Sequence, residues 1–148
     1  MKPLSLEYIV PGDDFTRAGE ASSKVKNMLK RVGYDSDSIR RVAIAMYEGE
    51  INMVIHGGGG VAHVLIYPDR VEISLVDHGP GIEDIEKAMQ EGYSTAPDDV
   101  RSLGFGAGMG LPNIKKYTDE MRLESEVGQG TTLFMTIISI NVWCAPTV

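Results

Sequence analysis

Residues 61–81 read VAHVLIYPDRVEISLVDHGPG, and this stretch decides how the chain's strands can be assembled. Val61 to Tyr67 and Val71 to Val76 both read as strand-like runs. Only Pro68-Asp69-Arg70 separates them, which is a hairpin-type connection. Strands joined in this way are antiparallel, because a parallel pair needs a crossover of roughly a dozen residues or more.

The same logic extends outward. Upstream, Leu4 to Val10 reads as a strand ending at Pro11-Gly12. Asp13 and Asp14 offer an N-cap for a first helix from about Asp14 to Val32, with Phe15, Ala18, Val25, Leu29 and Val32 at helical spacing and Gly33 as the stop. Asp35-Ser36-Asp37 starts a second helix that runs to about Ile55, ahead of the glycines Gly57 to Gly60. Downstream, Ile82 to Gln90 reads as a short helix and Gly92 to Gly110 as a long glycine-rich loop, a kind of segment that is usually functional or disordered. Leu111 to Thr118 reads as a further helix, with Pro112 tolerated in its first turn. Met121 to Val127 and Thr131 to Ile140 form a closing hairpin around Gly128-Gln129-Gly130. Two strand pairs without an intervening helix exclude a doubly wound parallel sheet. The expected architecture is α+β, a two-layer sandwich with its helices on one face of the sheet.

The chain has 148 residues and a formal net charge of −7. That charge argues against general affinity for nucleic acid or anionic membranes, which requires a basic face. Residues 1–148 are read as one domain, with a core from about 5 to 140 and a short tail from 141 to 148. Cys144 is the single cysteine and reads as an incidental thiol in a reducing cytosol. Met1 to Glu7 lacks an apolar signal core, and the apolar run Leu133 to Ile140 is broken by Thr136 and Ser139. It is too short for the roughly 20 residues of a membrane span. A cytoplasmic location is expected.

The second helix is apolar around most of its circumference. Ile39, Val42, Ala43, Met46, Met53 and Val54 make one broad face, and Ile44, Ile51 and Ile55 extend it. A stripe bearing Arg41, Glu48, Asn52 and His56 interrupts it. Glu48 and Asn52 are four apart and therefore neighbours, whereas Glu50 lies on roughly the opposite side. Two readings stand for this pair: a solvent-facing edge, or a carboxylate base beside an amide oxygen suited to Mg²⁺. His56 reads as structural or capping, and Arg41 as a surface charge.

Asp77-His78-Gly79-Pro80-Gly81 follows a strand directly, and by itself is compatible with an ordinary turn. Gly104-Phe105-Gly106-Ala107-Gly108-Met109-Gly110 carries more weight. Alternating glycines are costly in backbone entropy, yet they let backbone N–H groups approach a phosphate, and the helix that follows adds its positive N-terminal end. Neither the P-loop pattern nor G-x-G-x-x-G fits this segment. Gly128-Gln129-Gly130-Thr131 reads as a hairpin turn or as a ligand contact.

Taken in order, Glu48-x-x-x-Asn52, Asp77-x-Gly79-x-Gly81, Gly104-x-Gly106-x-Gly108-x-Gly110 and Gly128-x-Gly130-Thr131 resemble the N, G1, G2 and glycine-threonine boxes of the GHKL superfamily. Within it, Asp84 to Thr95 and Gly108-x-Gly110-Leu111-Pro112 look like the anti-sigma-factor serine/threonine kinases, in particular the stress-signalling switch kinase. The resemblance implies a Bergerat (histidine-kinase-like ATPase) fold, with a mostly antiparallel mixed sheet. It implies ATP and Mg²⁺ as cofactors. Asp77 would accept from the adenine amine, assisted by Thr131 through water, and Gly79 and Gly81 would pass close to the base. Asn52 would hold Mg²⁺, and Glu48 would deprotonate an attacking hydroxyl. Gly104, Gly106, Gly108 and Gly110 would form the phosphate-binding part of a mobile lid, with Arg101 near the triphosphate. Leu103-Gly104-Phe105-Gly106 makes this lid longer than in typical anti-sigma kinases.

The implied substrate is a serine or threonine of a STAS-domain, anti-anti-sigma-like partner. A sigma factor or a regulatory phosphatase are further implied partners, and a homodimer is the implied assembly. The competing reading is a nucleotide-gated binding module that sequesters a sigma factor or other regulator with weak or no kinase activity. Glu48 favours the kinase, since a pure binder needs no base. A stand-alone ATPase is disfavoured because no segment resembles a water-positioning second domain. The Ser94–Gly110 segment has little apolar content to offset an ordering cost of roughly 1–2 kcal/mol per residue. It is expected to close only when phosphates engage its N–H groups.

Overall fold

The computed structural model describes residues 2–12, 17–56, 58–81, 89 and 110–139. In chain order these form β1 (Leu4–Pro11), α1 (Glu20–Val32), α2 (Ser36–His56), β2 (Gly59–Ile66), β3 (Arg70–Asp77), α3 (Gly110–Tyr117), β4 (Glu120–Glu126) and β5 (Gly130–Ile138). The short helix read over Ile82 to Gln90, nearly all of the Gly92–Gly110 loop and the tail with Cys144 lie outside the described residues.

The five strands make one sheet in the order β1-β2-β3-β5-β4. Every pairing among them is antiparallel. The sheet is therefore more uniform than the mixed one expected: no parallel pair occurs among the described residues. Alternation dictates what faces inward. Ala62, Val64 and Ile66 of β2, Val71, Ile73 and Leu75 of β3, and Leu133, Met135 and Ile137 of β5 are all buried. They lie on one face because side chains alternate along a strand, and the register sets Val64 opposite Ile73 and Ile73 opposite Met135. On the other face Ile9 is 81% exposed.

The helices cover the inward face. The central helix α2 packs on four strands and on both other helices, while α1 touches β1 and β2, and α3 touches β4. Val42, Ala45, Met46, Met53 and Val54 of α2 join Ala21, Val25 and Leu29 of α1 and Ile114 of α3 in a single core. Asp35 starts α2 as its sequence suggests: its Oδ2 accepts the Ser38 N–H at 2.9 Å. Its Oδ1 accepts the Ser139 hydroxyl at 2.7 Å, which ties the end of β5 to the same corner.

The start of α1 departs from expectation. The helix begins at Glu20, with Gly19 in the capping position and no side-chain cap of its own. Asp13 and Asp14 lie outside the described residues. The missing cap comes from α2: Glu50 accepts the Gly19 N–H at 3.0 Å and the Ser22 N–H at 2.6 Å. The helix ends where expected, and the Gly33 N–H bonds back to Leu29 and Lys30.

Arg41 is also not a simple surface charge. Its side chain is only 17% exposed and its Nη1 pairs with Asp119 Oδ2 at 3.0 Å. Its Nη2 donates to the Ile138 carbonyl at 2.7 Å. The guanidinium clasps α2 to the end of β5, about two turns before Glu48.

Candidate functional site

The topology builds the site. Because β5 inserts between β3 and β4, the beginning of β5 lies beside the end of β3, with Thr132 opposite Val76. Asp77 and Thr131 thereby become neighbours across 54 residues of sequence. The Asp77 Oδ1 accepts two backbone N–H groups, from Gly79 at 3.0 Å and from Thr131 at 3.1 Å. One carboxylate oxygen thus fixes the side chain, and the second remains the natural acceptor for a ligand donor.

Gly130 makes this approach possible. Its φ is +126°, and a Cβ there would lie 2.2 Å from the Asp77 carbonyl oxygen. Gly81, at φ +81°, approaches the Glu126 carbonyl in the same manner, with 2.5 Å left for a Cβ. Its closeness is therefore to the β4–β5 turn, where the Gly128 N–H also bonds to the Pro80 carbonyl at 2.9 Å. The Thr131 hydroxyl pairs with Ser125 Oγ at 2.9 Å. Asp77, Ser125, Gly130, Thr131 and their neighbours line an open depression of ≈ 300 Å³. A larger depression of ≈ 490 Å³ at the start of α1 is lined by Gly19, Lys24 and Tyr47, and none of the predicted site residues belongs to it.

Glu48 and Asn52 are both half-buried on α2, one turn apart. Burial pushes the Glu48 carboxyl above its ordinary range, opposed by a hydrogen bond from the Asn113 side chain of α3. Gly110, the last residue of the glycine run, opens α3 directly against Asn52: a Cβ on it would come within 3.0 Å of Nδ2 and 3.1 Å of Oδ1. His56 ends the stripe. Burial lowers its pKa and the nearby Asp77 charge opposes that shift, so the end of α2 meets the end of β3 beside Asp77.

Of the residues read from the sequence, Glu48, Asn52, Asp77, Gly79, Gly81, Gly110 and Thr131 lie among the described residues. They fall into two groups. Glu48 and Asn52 face α3, whereas Asp77, Gly79 and Thr131 are joined by hydrogen bonds. Arg101, Gly104, Gly106 and Gly108 lie outside the described residues. Asn113 was missed, although an asparagine three residues after the last glycine of the run falls on the same helix face as that glycine. The donor set fits a nucleotide with a hard cation. It offers an anchored carboxylate for an amine, a neutral amide oxygen for the metal, and a helix start beside that amide.

This fold and site define a histidine kinase-like ATPase. The model of the histidine kinase-like ATPase domain matches residues 13–137, and the chain belongs to that family, in its branch of anti-sigma-factor serine/threonine kinases. It is 38% identical over 104 residues to an anti-sigma F factor of Clostridium acetobutylicum, covering 67% of this chain and 69% of that protein. It is 33% identical over 112 residues to the serine/threonine-protein kinase RsbT of Bacillus subtilis, covering 73% and 78%. In fold it is similar to the RsbU and RsbW domains of Rv1364c from Mycobacterium tuberculosis. That likeness has a TM-score of 0.60 at 19% identity, over 99% of this chain and 35% of that longer one. An ATPase domain implies ATP binding. No helix among the described residues is long and apolar enough to cross a membrane.

Proposed function

We propose that this chain is a Mg²⁺- and ATP-dependent serine/threonine protein kinase acting on a STAS-domain, anti-anti-sigma-like partner in the cytoplasm. The observation that carries the reading is Glu48: a half-buried carboxyl, raised by burial, one helical turn from Asn52. General bases work best when their pKa approaches the working pH, and burial moves Glu48 in that direction.

Asp77 would hold the adenine amine through the carboxylate oxygen that its backbone bonds leave for it. Asn52 would offer its amide oxygen to Mg²⁺. When bound, ATP supplies the γ-phosphoryl group and Mg²⁺ offsets its negative charge. Glu48 would orient the partner's hydroxyl and take its proton. Gly110 would bring the end of the glycine run to the metal-side residue, with Gly104, Gly106, Gly108 and Arg101 completing the phosphate contacts. A sigma factor and a regulatory phosphatase are the other partners proposed, and the assembly proposed is a homodimer of single-domain chains.

A second reading, a nucleotide-gated module that sequesters a sigma factor, draws support from relatives named anti-sigma F factors. The two separate on incubation with γ-labelled ATP, Mg²⁺ and a candidate STAS-domain protein from the same genome. Label on a serine or threonine of the partner supports the kinase. Nucleotide-dependent complex formation without label supports the binding module.

A further inference from the structure

The inward face of the sheet changes character in one step. Leu75, Leu133 and Leu123 stand opposite one another across β3, β5 and β4, and all three belong to the core or pack against it. Two residues along each strand, alternation places Asp77, Thr131 and Ser125 in the next row of that face. Ser125 is the register partner of Thr131, and all three line the ≈ 300 Å³ depression. The apolar row thus gives way to a polar one, and hydrogen bonds join its members. The Thr131 N–H donates to Asp77 Oδ1 at 3.1 Å, and the Thr131 hydroxyl lies 2.9 Å from Ser125 Oγ. The Ser125 hydroxyl donates to the Gly130 carbonyl at 3.2 Å.

A hydroxyl has one hydrogen and two lone pairs. The Ser125 hydrogen goes to the Gly130 carbonyl, so the hydrogen of the Ser125–Thr131 bond comes from Thr131. Thr131 Oγ1 then turns only lone pairs to the depression, beside a carboxylate that also only accepts. A base edge meeting this corner must bring hydrogens to it. A water held by both acceptors gives them both its hydrogens and turns lone pairs outward, so it too selects an amine over a carbonyl. We propose that Ser125 is a positioning residue for base selection: by fixing the direction of the Thr131 hydroxyl, it makes the corner favour a purine with an amine at position six over one with a carbonyl there. The selectivity rests on the reading of this depression as the adenine site; the direction of the hydroxyl chain does not. A Ser125 that only braced the β4–β5 turn would change stability and leave selectivity alone.

The test is calorimetric affinity for ATP and for inosine triphosphate, which carries a carbonyl at position six, in the full chain with Mg²⁺. The wild type should prefer ATP. In Ser125→Ala the Thr131 hydroxyl is free to turn and donate to that carbonyl. The preference should narrow by roughly three- to tenfold, the worth of one neutral hydrogen bond. Ser125→Thr keeps the hydroxyl and should restore most of it. In a Thr131→Val background, Ser125→Ala should leave the ratio within about twofold, because the two residues act as one unit. Should Ser125→Ala not fold, Ser125→Cys, whose thiol is a weak donor and acceptor, carries the same expectation. A preference unmoved by these variants, or narrowed as much without the Thr131 hydroxyl as with it, would overturn the proposal. If Asp77→Asn narrows the preference and Ser125→Ala does not, the adenine site stands and the role of Ser125 falls. A wild type that binds both nucleotides alike would remove the adenine reading and the proposal with it.

Discussion

The Thr131 N–H donates to Asp77 Oδ1 at 3.1 Å, so the residue expected to assist the adenine site also anchors the carboxylate proposed for it. Gly79 donates to the same oxygen. The consequence is a side chain whose orientation is set by backbone, before any ligand arrives.

Asp77→Asn tests that arrangement. An asparagine can keep Oδ1 as acceptor for both backbone N–H groups, which preserves the local fold. Its second group becomes a donor facing the adenine amine. Losing a charge-assisted hydrogen bond costs about 1.5–3 kcal/mol, so calorimetry should show ATP affinity reduced by roughly ten- to hundredfold with little change in Tm. Unchanged affinity would remove Asp77 from the adenine site.

Glu50 is expected to matter for stability rather than for transfer. It is 1% exposed and its two oxygens accept the Gly19 and Ser22 N–H groups. In Glu50→Gln one of these acceptors becomes a donor pointed at an N–H. Leaving a buried group unsatisfied costs about 1–3 kcal/mol, which should lower the urea midpoint at an unchanged slope. An unaltered midpoint would mean that α1 finds another cap.

Asp35 gives the acid dependence its sign. Burial raises its pKa, but the bonds from Ser139 and Ser38 prevail and the net shift is downward. A carboxyl lowered on folding contributes stability that is present above its unfolded pKa and lost as pH falls through the folded one. Asp35→Ala should therefore be less stable by about 1 kcal/mol near neutrality, a typical capping loss. The gap to the wild type should close as pH drops below the carboxylate range. A gap of constant size down to acid pH would show that the carboxylate charge is not its source.

The sequence is most legible where a pattern is local. The short connection Pro68-Asp69-Arg70 settles the antiparallel hairpin, and helical spacing isolates Glu48 and Asn52 on an otherwise apolar helix. What stayed hidden depends on residues far apart in the chain. The cap of α1 comes from Glu50, 31 residues away from Gly19, so the local rule of an aspartate before the helix pointed to the wrong start. Arg41 looks like a surface charge until Asp119 and the end of β5 fold onto it. Asn113 needed the crossing of α2 and α3 to find its carboxylate. Close approach also changes what a glycine means: Gly81 reads as room for a base, while its nearest obstacle is the Glu126 carbonyl.

In the proposed kinase, Glu48 performs chemistry and Asp77 performs binding. The most direct measurement is phosphotransfer to the proposed STAS-domain partner by wild-type protein and Glu48→Gln, with ATP affinity measured on the same samples. Glutamine keeps the size of the side chain and removes the base. General-base catalysis is typically worth about 10²–10⁴-fold, so transfer should fall by that factor while ATP affinity stays within about threefold. Exposed Glu120, at the start of β4 and outside the lining of the Asp77 depression, is the control, and Glu120→Gln should transfer at the wild-type rate. Normal transfer by Glu48→Gln would rule out Glu48 as the base and leave it a structural residue of α2.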